Sequence, residues 1–150
     1  MGFKSFIYVG GMYHLCFALF DLSWPFIFNW RKTLANLDDL NKSILFILSR
    51  LNALLFVSFA YLEFFQIDEL INSTIGNLVL LYIVIFWSIR AAMNLQFFGF
   101  FKKANHLKVV RSDLNFPFAG SSNQVIVNAF FFIFIFGIIV HLIPLLYSTG

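Results

Sequence analysis

The chain has 150 residues, of which 61% are hydrophobic and 11% are charged, and its mean hydropathy is +0.86. This balance excludes an ordinary soluble domain and indicates an integral membrane protein. The single cysteine, Cys16, excludes an intrachain disulfide and a Cys-x-x-Cys redox pair. The formal net charge of +3 comes mainly from basic residues in two connecting segments, so we attribute it to membrane topology and expect no nucleic-acid partner.

Four apolar stretches are each long enough to cross a bilayer, since a spanning helix needs about 20 mostly apolar residues. We predict an all-α integral membrane four-helix bundle, a single domain over residues 1–150, with spans at about 5–28, 42–66, 75–100 and 124–147. We expect the first span to be retained, because its apolar run continues through His14 and Asp21 with no clear small-residue cleavage site.

The first span ends in Trp24, Pro25 and Trp30, where an aromatic belt is expected at the membrane interface. Pro25 has no amide hydrogen, so the carbonyl of Asp21 loses its helical partner. The sequence therefore predicts a bend and a free acceptor beside a buried carboxylate.

The three connecting segments are predicted to differ in structure. Leucines in the segment 29–41 predict a short helix lying on the membrane surface. Residues 68–74 are predicted to form a tight acidic turn. The longest segment, 101–123, contains Phe116-Pro117-Phe118, which we expect to dip into the interface.

Lysine and arginine are distributed unevenly between the two sides of the predicted bundle. The segments after the first and third spans lie on one side and have seven of these residues: Arg31, Lys32, Lys42, Lys102, Lys103, Lys108 and Arg111. The other side has only Lys4. By the positive-inside rule, both termini are predicted to face outward and the protein to lie in the cell's inner membrane.

Three charged residues share one predicted depth in the cytoplasmic half of the bundle. Asp21, Arg50 and Arg90 lie about seven, eight and nine residues from the cytoplasmic ends of their spans. At about 1.5 Å per residue these depths coincide within the boundary error of roughly 5 Å. Asn52 and Asn94 lie near the same level. Intramembrane ionisable residues commonly mark functional sites. We therefore predict a buried polar layer formed by these five residues.

Two main interpretations of this layer remain open, beside an enzyme site or a proton path. In the first, two arginines against one aspartate leave a positive charge that binds an anion, since guanidinium groups pair bidentately with carboxylate or phosphate. In the second, Asp21 neutralises one arginine, the other extends to the interface, and the layer only fixes helix packing.

His14 and His141 lie at similar depths in the outer half. Two imidazoles at one level are candidate axial ligands of haem b. Alternatively, each hydrogen-bonds a tyrosine or a carbonyl, and Tyr61 and Tyr82 are available at that depth. Glu63 is expected near the outer interface, solvated and without a chemical role.

The sequence contains no Gly-rich phosphate loop, His-Glu-x-x-His, Gly-x-Ser-x-Gly or closely spaced set of metal ligands, so P-loop and hydrolase mechanisms and a metal site are not predicted. Its length, four spans and cytoplasmic-side arginines resemble the membrane-associated eicosanoid and glutathione metabolism family. That family's Arg…Asn-x-x-Glu pattern is not matched, because no glutamate follows Arg50 and Asn52 until Glu63. We do not assign the chain to it.

Three functions follow as hypotheses. The first is a binding or transport module for an anionic or amphipathic small molecule or lipid. The second is a structural or interaction subunit, whether in a homo-oligomer or a larger membrane complex. The third is a membrane enzyme with a glutathione-type anion site, or a bis-histidine haem electron carrier.

Overall fold

The computed structural model describes residues 3–98 and 123–148. These residues form α1 (Phe3–Ile27), α2 (Trp30–Thr33), α3 (Asp39–Phe65), α4 (Ile67–Asn72), α5 (Thr74–Phe98) and α6 (Asn123–Ser148). Helices α1, α3, α5 and α6 are long and apolar enough to cross a membrane, which confirms the predicted all-α bundle of four long helices. The Phe-Pro-Phe motif at 116–118 and its loop lie outside the described residues.

Helix α1 is central to the packing of the described helices. It packs against both α3 and α6, and α5 packs against α6. Lys4, near the start of α1, pairs with Asp68 just beyond α3, whereas Asp21, near the end of α1, contacts Asn52 in the first half of α3. The two helices are therefore antiparallel, as expected for consecutive spans joined by a short connection.

Aromatic rings fill the middle of the bundle. Trp87 of α5 is fully buried, stacks on Phe56 at 5.5 Å between ring centroids, and lies 4.9 Å from the rings of Tyr13 and Phe17. Lipid tails are as apolar as these side chains, so close packing and interhelical hydrogen bonds must hold the helices together. The polar residues between the helices are therefore important for the stability of the fold.

The end of α1 shows how the predicted free carbonyl is satisfied. Pro25 lies inside α1, and the hydroxyl of Ser49 on α3 donates to the carbonyl oxygen of Asp21 at 3.1 Å. The hydrogen bond that proline removes within α1 is thus replaced by one between helices.

The short helix predicted in 29–41 corresponds to α2, which has only four residues. Before α3 begins at Asp39 no other residue of this segment is helical, and Leu37 and Leu40 are exposed. Asn29 adopts a left-handed conformation with φ of 44°, which turns the chain sharply before α2. The carboxylate of Asp38 then accepts the Asn41 amide and begins α3, so little chain is left for a longer helix.

The predicted acidic turn after α3 is instead the short helix α4. Ile67 and Leu70 of this helix are buried and pack with Ile7 of α1, because its apolar side chains share one face. Gly76 at the start of α5 lets the two backbones approach, since a β-carbon there would collide with the backbone of α4. Helix α4 therefore packs onto the end of the bundle where α1 begins.

Candidate functional site

Three helices bring two histidines and a glutamate together in the half of the bundle where α1 begins and α6 ends. The Nδ1 atom of His14 on α1 lies 2.6 Å from Glu63 Oε2 on α3, and the Nε2 atom of His141 on α6 lies 2.6 Å from Glu63 Oε1. Exposed fractions are 0% for His14 and Glu63 and 1% for His141. We call these three residues the His-Glu-His cluster.

The partner of the second His14 nitrogen determines the tautomer of this ring. The indole Nε1 of Trp87 lies 3.0 Å from His14 Nε2, and an indole nitrogen can only donate a hydrogen bond. His14 Nε2 must therefore carry a lone pair rather than a proton. His14 is thus neutral, with its proton on Nδ1, and it donates that proton to Glu63 Oε2.

The same argument applied to His141 locates an additional proton. Its Nδ1 lies 2.6 Å from the carbonyl oxygen of Gly137, which can only accept, so Nδ1 carries a proton. Its Nε2 faces Glu63 Oε1 at 2.6 Å, and one of these two atoms must donate to the other. A single proton therefore lies between Glu63 and His141.

The position of that proton does not change the total charge of the cluster. If it resides on Glu63, all three groups are neutral; if it resides on His141, an imidazolium faces a carboxylate. Both arrangements have zero net charge, which is the requirement for ionisable groups buried away from water. Removing or adding one proton would leave an unpaired charge, so a change of protonation would alter the local electrostatics strongly.

Glycines provide the space for this close arrangement. A β-carbon at Gly10 of α1 would lie 2.6 Å from His141 Nε2 and 2.8 Å from Glu63 Oε1. A β-carbon at Gly137 of α6 would lie 2.7 Å from the hydroxyl of Tyr13, which donates to the carbonyl of Ile133 at 2.9 Å. Helices α1 and α6 can therefore approach closely beside the cluster.

The cluster also has the composition of a metal site, since its three donor atoms lie within 4.8 Å of one another. Two features favour proton sharing instead. The nitrogen-to-oxygen distances of 2.6 Å are those of hydrogen bonds and are shorter than the roughly 3 Å between tetrahedral ligands of one ion. Metal binding at His14 Nδ1 would also place a proton on Nε2, against the Trp87 N–H.

A second polar group lies about two turns further along α1. Asn52 of α3 donates through Nδ2 to Asp21 Oδ2 and accepts at its Oδ1 from Arg90 Nη1 of α5 at 3.2 Å. The other oxygen of Asp21, Oδ1, is buried with no hydrogen-bond partner in the described part of the chain. We call Asp21, Asn52 and Arg90 the Asp-Asn-Arg group.

The positive charge of Arg90 is surrounded by aromatic rings. Its guanidinium carbon lies 5.5 to 5.7 Å from the ring centroids of four residues, Phe56, Phe86, Trp87 and Phe134. The ring faces attract a cation, most strongly when water is excluded. Because Trp87 also donates to His14, this one side chain contacts both polar groups.

The structure brings together only part of the predicted polar layer. Asp21, Asn52 and Arg90 are joined by hydrogen bonds. Arg50 lies on the exposed face of α3 and is not among the described residues bonded to this group. Asn94 is buried on α5, but none of the hydrogen bonds of the described residues connects it to the Asp-Asn-Arg group. A single arginine therefore faces a single aspartate.

The structure also shows the partners of the histidines. His141 bonds a backbone carbonyl, that of Gly137, which is one of the predicted alternatives. The predicted tyrosines, Tyr61 and Tyr82, are 55% and 53% exposed, and His14 bonds Glu63 and Trp87 instead. Glu63, expected to be solvated, is fully buried. The two imidazoles face one carboxylate between them, and their ligation of haem stays a prediction.

Glu63 was missed because its burial depends on the neighbouring helices. Counting along the sequence places it three residues from the predicted end of its span, where water is expected. In the structure α3 ends at Phe65, but α4 then packs back onto the bundle, and α1 and α6 cover the carboxylate. One signal was available, since Glu63 is the only acidic residue between Asp39 and Asp68.

Comparisons of the chain with protein-family models, curated proteins and solved structures found no match.

Proposed function

We propose that this protein is a small membrane binding or transport module that uses a transferable proton held by the His-Glu-His cluster. The observation that supports the proposal is the 2.6 Å contact between Glu63 Oε1 and His141 Nε2, which requires one shared proton because His141 Nδ1 faces a carbonyl oxygen. Chains of buried Asp, Glu and His residues recur as proton relays in pumps and transporters. Protonation of such a cluster can then bias the packing of the three helices that form it.

The Asp-Asn-Arg group supports the same proposal from a second position. His14 and Asp21 are seven residues apart on α1, so they share a helix face and are separated by roughly 10 Å along the axis. The unpartnered Oδ1 of Asp21 can accept a proton or a hydrogen bond. Trp87 connects the two groups through its contacts with His14 and Arg90.

The cargo and the orientation in this proposal come from the sequence. The cargo class is an anionic or amphipathic small molecule or lipid, the class predicted from Asp21 and two arginines, of which the structure leaves Arg50 outside the Asp-Asn-Arg group. Both termini face outward from the inner membrane, because lysine and arginine concentrate in the segments after the first and third spans. In this orientation the His-Glu-His cluster lies in the outer half and the Asp-Asn-Arg group in the cytoplasmic half.

The experiment that tests the proposal is proton uptake into liposomes that contain the purified protein and a trapped pH-sensitive dye. With a potassium diffusion potential as the driving force, we expect wild-type uptake clearly above that of empty liposomes. Glu63→Gln should reduce uptake by roughly tenfold or more, because the amide has no carboxyl proton to transfer.

The control for this variant is Glu69→Gln, which makes the same chemical change at an exposed residue of α4. It should leave uptake unchanged. If the wild type matches empty liposomes, or if Glu63→Gln retains full uptake in a folded protein, the proposal fails. The alternative of a structural subunit, whose polar residues only set helix packing, would then be favoured.

A further inference from the structure

A groove lies at the end of the bundle away from the His-Glu-His cluster, where α1 ends and α3 begins. It has a volume of about 680 Å³, within the range of ligand sites in proteins. Its lining includes three cationic residues, Arg31, Lys42 and Arg50, and no carboxylate. No residue of the His-Glu-His cluster or of the Asp-Asn-Arg group lines this groove.

The positions of the cations follow from the helical repeat of α3. Lys42, Phe46 and Arg50 recur every four residues and all line the groove, so they lie on one face of the helix. The two cations are separated by roughly 12 Å along the axis, with an aromatic ring between them. This face therefore runs from a charged end into an apolar region.

The opposite wall is fixed by the turn between α1 and α2. The left-handed Asn29 reverses the chain, and the Thr33 hydroxyl donates to the carbonyl of Phe28 at 2.5 Å. Trp30 is thereby placed edge-on against Phe46, with ring centroids 5.0 Å apart. Arg31, which follows Trp30, is brought to the same groove as Arg50.

The two arginines carry the available positive charge. Lys42 is partly neutralised by Asp39, whose carboxylate lies 3.2 Å from its ammonium nitrogen. Arg31 and Arg50 are exposed and have no ion-pair partner among the residues that the structure describes. Guanidinium groups pair bidentately with phosphate, which makes a phosphate-bearing anion the complementary ligand.

We propose that this groove binds the headgroup of an anionic phospholipid, with the phosphate on Arg31 and Arg50 and the chain region against the apolar wall. A lipid presents a phosphate and a hydrocarbon side by side, whereas inorganic phosphate has no apolar part to contact the apolar wall. Phe26, which is 82% exposed beside Pro25, extends the wall toward the surrounding bilayer. Basic pockets between membrane helices commonly bind anionic headgroups.

The test is lipid retention measured by native mass spectrometry. Purified protein is equilibrated with an equimolar mixture of phosphatidylglycerol and phosphatidylcholine with matched acyl chains. We expect the wild type to retain phosphatidylglycerol with a clear preference, and Arg31→Gln/Arg50→Gln to reduce that preference by roughly tenfold, because two charged hydrogen bonds are lost. Both residues are exposed, so the variant should fold.

The matched control is Lys32→Gln, which removes one positive charge from the same short helix but does not line the groove. It should retain the preference. The proposal is overturned if the double variant keeps the preference, if Lys32→Gln loses it equally, or if excess inorganic phosphate abolishes it, which would indicate a free-anion site. Glu63→Gln should retain the lipid, so this outcome is independent of the proton proposal.

Discussion

At the scale of single residues, the direction of each hydrogen bond fixes the protonation of the His-Glu-His cluster. The indole of Trp87 can only donate and the carbonyl of Gly137 can only accept. These two groups fix the protonation of one ring nitrogen in each histidine. The other ring nitrogen of each histidine forms a hydrogen bond with Glu63. Two donor-acceptor assignments therefore determine how many protons the cluster contains.

This assignment predicts the nitrogen spectrum of His14. Solid-state nuclear magnetic resonance of the protein in lipid, with ¹⁵N-labelled histidine, should show His14 with one protonated and one unprotonated ring nitrogen at neutral pH, because the Trp87 N–H requires a lone pair on Nε2. His106→Gln would first remove the signals of the only histidine outside the cluster. A doubly protonated His14 would contradict the assignment.

Trp87→Phe provides the comparison for this spectrum. It retains an aromatic ring in the core but removes the donor to His14. We expect the Nε2 signal of His14 to shift, because its lone pair loses the indole hydrogen bond. An unchanged signal would show that the indole does not donate to this atom.

At the scale of helices, the beginning of α3 depends on a cap that titrates. The backbone N–H of Asn41 donates to Asp38 Oδ1 at 2.9 Å, and its side-chain amide donates to Oδ2 at 2.5 Å. These hydrogen bonds favour the carboxylate and hold the pKa of Asp38 below its ordinary value of 3.8. The cap accepts a hydrogen bond from one of the first backbone N–H groups of α3, which have no acceptor within the helix.

The lowered pKa gives a stability contribution with a defined sign. It is fully present above the unfolded-state pKa and is lost as the pH falls through the folded-state pKa. Asp38→Ala should therefore lower the thermal midpoint most at neutral pH, and the difference from wild type should shrink on acidification. Asp38→Asn keeps an oxygen acceptor but cannot titrate, so we expect its midpoint to lie nearer that of the wild type at neutral pH. A wild-type advantage over Asp38→Ala that is constant with pH would contradict this role.

At the scale of the whole molecule, Asp21 and Arg90 balance each other's charge through Asn52. They belong to α1 and α5, and Asn52 belongs to α3, so the group joins three helices. Removing one member of a buried charged pair leaves the charge of the other residue without a partner. Removing both residues leaves no unpaired charge in the bundle. The stability of the bundle should therefore depend on the pair rather than on either residue alone.

We expect Asp21→Leu and Arg90→Leu each to lower the free energy of unfolding by roughly 3 kcal/mol, and the double variant to lose clearly less than the sum. The measurement is unfolding in mixed detergent micelles with increasing dodecyl sulfate. Arg50→Leu is the control, since this exposed arginine lies in the same helix as Asn52 but outside the group. Strict additivity, or an equal effect of Arg50→Leu, would contradict the pairing.

The membrane class and the helical architecture follow from the amino-acid sequence alone, because a chain this apolar must satisfy its backbone hydrogen bonds within each span. The sequence also identified Asp21, Asn52 and Arg90, because charged and amide side chains in apolar helices are costly unless they are partnered. Their common depth followed from the constant helical rise, which requires no knowledge of how the helices pack.

Which faces of the helices meet is known only from the packed bundle. The predicted spans are apolar nearly all round, so their sequences do not specify the direction in which a side chain points. For that reason Arg50 was assigned to the polar layer although it faces outward, and Glu63 was assigned to solvent although α1 and α6 enclose it. The proton between Glu63 and His141 exists because three helices, distant in sequence, place three side chains within hydrogen-bonding distance.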